Sequence, residues 1–484
     1  MSIDFGIIVF YLFVINVVGI RFSGSKNVKD YFLGSRSIPW LVACFSIVAT
    51  ETSTLTFISI PGLSYIQGMG FLQVAFGYLV GRILVALLLI PRYFEGNFET
   101  VYEFLQSRFS MSSRKLISVI FHMTRLLADS VRLFATAIPL SVITGWDYWI
   151  SILVIGGATF LYTFYGGLRS VVVVDSIQLF LYLLCALLGM ILISRHLSLP
   201  FLSVFSRIPP ADLRIVSSGL DQGFSSLFGS YNLFSGLIGG AFLSFASHGT
   251  DHLLVQRVLS CQDRRSAQKA MIFSGIIIIF QFFLFLLFGL CIKLLLNNMP
   301  FDRSDEIIPY FILHYLPEGV RGIMLAGIFA AAMSTLSSSI NSLSSSTSVD
   351  LLEINRRELS EKKKVGFSRM ISFFWAMMIV GISLLLKSTT NPLVEVGLSI
   401  ASVTYGGMMG IFLLGRFFEK LKDKAAVAGV LMSILVNLFI AVLTDIFWLW
   451  YVVIGCAVSF GTAFVMDRVF MLRESGEGYW NQKK

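Results

Sequence analysis

The sequence predicts an all-α integral membrane protein that crosses the bilayer with about thirteen helices. Hydrophobic residues make up 56% of the 484 positions and charged residues only 13%, about half the charged fraction of a soluble domain. Apolar stretches of about 20 residues, the length that spans a bilayer, recur along the whole chain. These observations favour one polytopic membrane domain over residues 1–484 and argue against a soluble enzyme.

Thirteen apolar stretches are long enough to cross the hydrocarbon core, and we number them span 0 to span 12. Span 0 lacks the cationic leader of a secretory signal peptide, so we expect it to be a retained helix. The spans are, in order, 4–21, 38–59, 70–91, 115–143, 148–165, 170–194, 228–252, 268–296, 319–348, 367–387, 392–416, 424–444 and 446–469.

The basic residues predict the orientation of the chain in the membrane. The net charge is +9, but Lys and Arg lie at the ends of apolar stretches, which argues against nucleic acid as a partner. Most of them fall in one alternate set of loops. The opposite loops hold Arg195, Arg207, Arg214, Lys293, Arg303, Arg321 and Lys387. This asymmetry places the N-terminus outside and the C-terminus in the cytoplasm of an inner or plasma membrane.

Two spans are interrupted by polar residues. Span 1 carries the polar insert 49–54 followed by Pro61 and Gly62, and span 6 carries a polar stretch at 244–251. Two interrupted spans about five helices apart are typical of inverted-repeat transporters, in which the helix breaks form a binding site near the midplane. The alternative is that the small hydroxyl residues only mediate helix packing.

Several charged residues fall within the predicted spans. Glu51 in span 1 must face protein, water or an ion, because an ionised carboxylate is costly in hydrocarbon. Arg125, Asp129 and Arg132 share one face of span 3, so Asp129 can neutralise one arginine and leave the other for Glu51 or for an anionic solute. Arg82 in span 2 has no evident partner in the sequence.

Span 8 contains a run of hydroxyl residues, with Ser334 and Thr335 followed one turn later by Ser337 and Ser338. Hard cations such as Na⁺ prefer several oxygen ligands, and hydroxyl and carbonyl oxygens supply them without burying full charge. Serine runs also serve as packing contacts between membrane helices, and spacing alone does not exclude that alternative.

Five segments in this order resemble the sodium/solute symporters, the family of sodium-coupled sugar, proline, iodide, vitamin and sialic acid carriers. They are DYFLG at 30–34, the interrupted stretch 49–68, YGGLR at 165–169 with Asp175 and Gln178, VQR at 255–257, and the serine-rich stretch 331–350. The resemblance implies a core of five plus five helices in inverted repeat, at about 38–416, with its helices 1 and 6 broken. The spans 4–21, 424–444 and 446–469 are then peripheral.

The resemblance also implies cation ligands. A sodium site would use the carbonyl groups of Ala49, Thr52 and Ala331 and the hydroxyl groups of Ser334 and Thr335. Some members bind a second sodium, and the matching positions are Asp175, Ser334, Ser337 and Ser338. Glu51 stands where proline carriers have an aspartate.

The solute pocket is predicted beside the two breaks. Of the positions that bind sugar in sugar carriers, those matching here are Thr56, Ala75, Ser244 and Ile278, and the apolar Ala75 and Ile278 disfavour a hexose. The predicted pocket residues are Glu51, Ser53, Thr56, Tyr78, Arg125, Arg132, Ser244, Ser247 and His248.

The function predicted is sodium-coupled uptake of a small organic solute by alternating access, without enzymatic chemistry. Five scattered cysteines with no metal-ligand spacing indicate no cofactor besides the coupling Na⁺. The alternatives are a proton-coupled symporter using Glu51, Asp251 or His248, a transporter-like membrane sensor, and a membrane enzyme built on His248 and Asp251. The identity of the solute, the number of sodium ions and the oligomeric state do not follow from the sequence.

Overall fold

The computed structural model describes residues 2–22, 24–219, 228, 231–386 and 393–481, and these residues form a helical protein. Ile38 and Cys261 form an isolated β-bridge, and the described ranges contain no strand. The α-helices are α1 (Ser2–Arg21), α2 (Val28–Leu33), α3 (Trp40–Glu51), α4 (Thr54–Gln67), α5 (Leu72–Leu88), α6 (Ile90–Glu95), α7 (Glu103–Arg108), α8 (Met111–Thr144), α9 (Tyr148–His196), α10 (Phe201–Phe205), α11 (Gly240–Gly249), α12 (His252–Leu259), α13 (Arg264–Leu295), α14 (Ile307–Tyr315), α15 (Val320–Ser346), α16 (Glu361–Leu385), α17 (Leu393–Phe417), α18 (Asp423–Leu443) and α19 (Tyr451–Asn481).

The described residues contain ten helices that are long and apolar enough to cross a membrane, or eleven when α3 and α4 are taken as one bent span. Two features account for the difference from the thirteen predicted spans. Spans 4 and 5 follow one another without a loop and together make up α9, but the backbone is non-helical at Gly167 (φ 58°, ψ −155°), so two helices meet there, at the predicted boundary. Span 6 is only partly described, and its helix α11 has ten residues. Lys387 and the first residue of span 10 lie outside the described ranges.

The first helix break lies between α3 and α4. Helix α3 ends at Glu51. The next two residues, Thr52 and Ser53, leave the helical conformation, and α4 starts at Thr54 in a direction bent by 66°. The hydroxyl of Thr54 donates to the carbonyl of Ile328 on α15 at 3.2 Å. Since hydrocarbon offers no hydrogen-bond partners, contacts of this kind with neighbouring helices stabilise an interruption at this depth.

The second break lies between α11 and α12. α11 ends at Gly249, and Asp251 caps α12 by accepting a hydrogen bond from the amide of Leu253 at 2.9 Å. Asp is a preferred N-cap residue because its carboxylate satisfies a free amide of the first turn. The prediction that span 6 ends at residue 252 was therefore wrong, because the helix resumes and continues to Leu259.

The two breaks are held together by closely packed helices. α15 is almost wholly buried and packs on α9, α1, α8 and α3, while α5 packs on α11 and α13. Gly81 on α5 lies against the α11 backbone, where an added Cβ would meet the carbonyl oxygen of Ala241 at 2.4 Å. This packing places the serine-rich helix beside the first break and α5 beside the second.

Candidate functional site

Two hydroxyl groups of α15 point at the backbone of the first break. The Ser334 hydroxyl donates to the carbonyl of Ala49 at 3.0 Å and lies 3.1 Å from the carbonyl of Ala331. The Thr335 hydroxyl donates to the carbonyl of Thr50 at 3.2 Å and lies 3.4 Å from that of Ala331. All of these residues are buried. The geometry therefore brings two hydroxyl and three carbonyl oxygens together between α3 and α15.

In this cluster Thr52 makes contacts other than the predicted one, and Thr50 contributes a carbonyl oxygen that was not predicted. The amide and hydroxyl of Thr52 both bond to the carbonyl of Val48, and its hydroxyl accepts from Gln281 at 2.6 Å. The described contacts do not place its carbonyl beside Ser334 or Thr335. The prediction missed the Thr50 carbonyl, although its position within the polar insert of span 1 was a usable signal.

Asp175 lies within α9 and is fully buried, so it is neither a surface acid nor a helix cap. Its Oδ2 accepts from Ser46 at 2.6 Å and from Thr50 and Ser338 at 3.4 Å. Its Oδ1 is buried and has no hydrogen-bond partner among the described residues. A buried carboxylate oxygen without a donor is rare, and a cation or a water molecule would satisfy it.

Arg257 on α12 completes the Asp175 cluster and was not predicted to be part of the site. Its guanidinium lies 3.8 Å from Asp175 and donates to Ser338. Ser337 donates to the carbonyl of Ser334 at 3.1 Å. The structure thus joins Asp175 directly to Ser338 and links Ser334 to Ser337.

Glu51 forms an ion pair with Arg82 on α5, which also donates to Ser274 at 2.8 Å. The suggestion that Glu51 pairs with Arg125 or Arg132 was therefore wrong, because the arginine bonded to its carboxylate is Arg82. His248 Nε2 lies 3.6 Å from the Glu51 carboxylate. The first and second breaks meet through this pair of side chains.

The charged face of α8 is neutralised by protein carboxylates. Arg125 donates to Asp251 at 2.8 Å and to the hydroxyl of Tyr405 at 2.5 Å, and that hydroxyl donates to Asp251 at 2.6 Å. Arg132 donates to Asp129 at 2.9 Å. Since Asp251 faces Arg125, it does not pair with His248 as the enzyme alternative required.

A cavity of about 70 Å³ lies between the two breaks. Every predicted pocket residue except Ser244 lines it; Ser244 donates instead to the carbonyl of Tyr78 at 2.9 Å. The sequence did not predict the apolar part of the wall, to which distant helices contribute. That part includes Ile60, Phe71, Leu243, Phe282 and Leu398.

A narrower cavity of about 10 Å³ joins this wall to the hydroxyl cluster. Ser53 and Arg132 line both cavities, and Thr335 lines the narrow one. A third cavity, of about 340 Å³, adjoins the first at Leu55. The hydroxyl cluster and the central cavity therefore share side chains.

The model of the Sodium:solute symporter family matches residues 31–433. The chain belongs to this family. The symporter is 27% identical over 455 residues to the sodium/sialic acid symporter of Aliivibrio fischeri, covering 92% of this chain and 89% of the relative. It is 26% identical over 454 residues to human sodium-coupled monocarboxylate transporter 2, covering 91% and 72%.

Its fold is that of a solved sodium-coupled sialic acid symporter in a substrate-bound outward-open state. The TM-score is 0.85 at 24% sequence identity, with 96% of this chain and 98% of the other covered. The predicted fold class, membrane location and family are confirmed. The symporter is a multi-pass sodium-coupled membrane transporter.

Proposed function

We propose that Na⁺ binds between α3 and α15, at the carbonyls of Ala49 and Ala331 and the hydroxyls of Ser334 and Thr335. The observation that carries this assignment is the convergence of these oxygens at a helix break. A hydroxyl oxygen keeps two lone pairs, so each hydroxyl can turn its proton away and accept the cation. The Thr50 carbonyl, which accepts a hydrogen bond from Thr335, is a candidate for a further ligand, and Thr52 stays another.

Binding of Na⁺ at this position ties the broken helix to α15 and favours one arrangement of the two. The solute then binds in the central cavity, which shares Ser53 and Arg132 with the narrow cavity beside Thr335. The affinities for ion and solute must be coupled, and this coupling is reciprocal. An inside-negative potential adds about 2.3 kcal/mol per charge per 100 mV to the driving force.

A second sodium is proposed at Asp175, with Ser338 beside it and Ser334 and Ser337 one turn away. The partnerless Oδ1 of Asp175 supports a cation there, and the Arg257 guanidinium at 3.8 Å opposes it by charge repulsion. The orientation proposed for the chain is an outside N-terminus and a cytoplasmic C-terminus, from the distribution of Lys and Arg.

The solute is proposed to be an anion bound on the side of the cavity that carries Arg125 and Arg132. Two relatives are named for acids, sialic acid and monocarboxylates, which agrees with this choice. Proton coupling is less favoured, since Glu51 and Asp251 are both held in arginine ion pairs.

Sodium-dependent uptake at fixed pH tests the proposal. We expect purified protein in liposomes to accumulate radiolabelled sialic acid or a monocarboxylate under an inward sodium gradient, but not under a potassium gradient. A proton gradient without sodium should drive no uptake. Uptake driven by protons alone would contradict sodium coupling and support the alternative.

A further inference from the structure

The two arginines that line the central cavity differ in how far the protein itself occupies them. Both lie on α8, two turns apart, and both reach the cavity wall. A guanidinium carries five N–H donors in a fixed planar fork, and only donors that remain free can bind a ligand. Counting the partners of each arginine therefore shows which one is available to a solute.

Arg125 is more fully occupied, since only one of its guanidinium nitrogens lacks a hydrogen bond among the described residues. Its Nε and one terminal nitrogen both donate to Asp251, the same terminal nitrogen donates to Tyr405, and the other lies 3.8 Å from Asp129. Only 3% of its side chain is exposed. Asp251 and Tyr405 are themselves bonded to each other, so the three side chains form a closed set.

Arg132 is occupied on one side only. One terminal nitrogen donates to Asp129, whose other oxygen accepts from Ser339 at 2.5 Å. The side chain is 17% exposed and lines both the central and the narrow cavity. Its other guanidinium nitrogens have no hydrogen-bond partner among the described residues and are not buried, so they face cavity space.

The arginines around the cavity are paired with carboxylates, so they leave no net positive charge for a second acidic group of the solute. Glu51 faces Arg82, Asp129 faces Arg132 and Asp251 faces Arg125. The Na⁺ bound between α3 and α15 adds one positive charge beside the cavity, which one carboxylate of a solute would balance. A second Na⁺ at Asp175 would lie beside Arg257 and away from the residues that line the central and narrow cavities. A second solute carboxylate would have to displace Asp251 from Arg125, and breaking such a buried pair is costly.

We infer that Arg132 binds the single carboxylate of the solute, and that Asp251 and Tyr405 withhold Arg125, so that the symporter selects monoanions over dianions. This inference rests on the proposed function. It makes Asp251 a specificity-determining residue that need not touch the solute. Because Asp251 also caps α12, the residue that sets the charge of the pocket is the one that restarts the second broken helix.

Formate and oxalate, the smallest mono- and dicarboxylate, test the inference in thermal melts of the purified protein, with each salt replacing sodium chloride at constant sodium. Formate should stabilise the wild type in a saturable manner, and oxalate should do so only weakly. In Asp251→Asn, which keeps an N-cap side chain, the half-saturating oxalate concentration should fall about tenfold, because charge-assisted hydrogen bonds to Arg125 become available. In Arg132→Gln the formate effect should disappear.

Arg92→Gln is the matched control, since Arg92 lies on α6, away from the residues that line the cavity, and forms an exposed ion pair with Glu95. It should leave both anion effects unchanged. If Asp251→Asn does not fold, Tyr405→Phe gives the same test with a smaller shift, because the ion pair remains. Equal stabilisation of the wild type by both anions would overturn the inference. So would a ratio of the half-saturating formate and oxalate concentrations that is unchanged in Asp251→Asn.

A wild-type protein that formate does not stabilise would also overturn it. The same samples distinguish that result from failure of the proposed function. If replacing sodium by potassium still lowers the melting temperature, the sodium site stands and only the division of roles between the arginines fails.

Discussion

Ser334 on α15 donates a hydrogen bond to the carbonyl of Ala49, a residue 285 positions earlier in the chain, at 3.0 Å. The carbonyl belongs to the last turn before the first helix break, so the contact joins the broken helix to the serine-rich one. The proposed cation site needs both elements, since α3 supplies the Ala49 carbonyl and α15 supplies the two hydroxyls and the Ala331 carbonyl. The distance between α3 and α15 therefore depends on what binds between them.

Removing the charge of Glu51 should destabilise the protein. In Glu51→Gln the fully buried Arg82 loses the carboxylate it pairs with. A buried arginine left without a counter-charge lowers the free energy of unfolding by about 3 kcal/mol. Denaturation of the purified protein in detergent measures the loss. The double variant Glu51→Gln with Arg82→Gln should be less destabilised than the sum of the two single variants. Additive losses would show that the pair is not coupled.

Asp175→Asn should change the sodium dependence of uptake without abolishing it, if the second cation site exists. We expect the Hill coefficient for sodium to fall towards one, because the carboxylate of the second site is lost while the Ser334 and Thr335 site remains. Initial uptake rates over a sodium series give this coefficient. A wild-type coefficient of one, unchanged in Asp175→Asn, would contradict a second sodium and favour Arg257 as the permanent counter-charge.

Close packing of α5 against α11 should not tolerate a methyl group. Gly81→Ala places a Cβ 2.4 Å from the Ala241 carbonyl oxygen and 2.8 Å from the Phe245 amide, and overpacking of this kind costs about 1–3 kcal/mol. The melting temperature should therefore drop. Gly157→Ala on α9 is the control, because its added Cβ has no described atom within 4 Å apart from its chain neighbours and the nearby backbone of its own helix. Equal melting temperatures for both variants would contradict the close contact.

The general fold could be predicted from the sequence because a bilayer permits few solutions. A stretch of about 20 apolar residues must be a helix, and a polar insert within it must be satisfied by protein. The break at 52–53 and the broken span 6 followed from this rule. The boundary between spans 4 and 5 followed as well, because the backbone leaves the helical conformation at Gly167, within the predicted loop 166–169 that carries Arg169.

The ion pairs of the site could not be predicted in the same way. Arg125 and Asp251 are 126 positions apart, and Glu51 and Arg82 are 31 apart. Spacing along one helix places Asp129 beside Arg132, but it carries no information on which carboxylate of another helix faces Arg125. The pairing depends on how the helices pack. That is why the sequence left Arg82 without a partner.

The sodium assignment itself is tested most directly by equilibrium binding of radioactive ²²Na⁺ to purified protein. Ser334→Ala and Thr335→Val should each weaken binding about tenfold or more, since each removes one oxygen ligand. Ser344→Ala on the same buried helix should bind as the wild type does, because the Ser344 hydroxyl donates to the carbonyl of Ile340 within its own helix. Binding that is equally strong in all four proteins would contradict a site between α3 and α15.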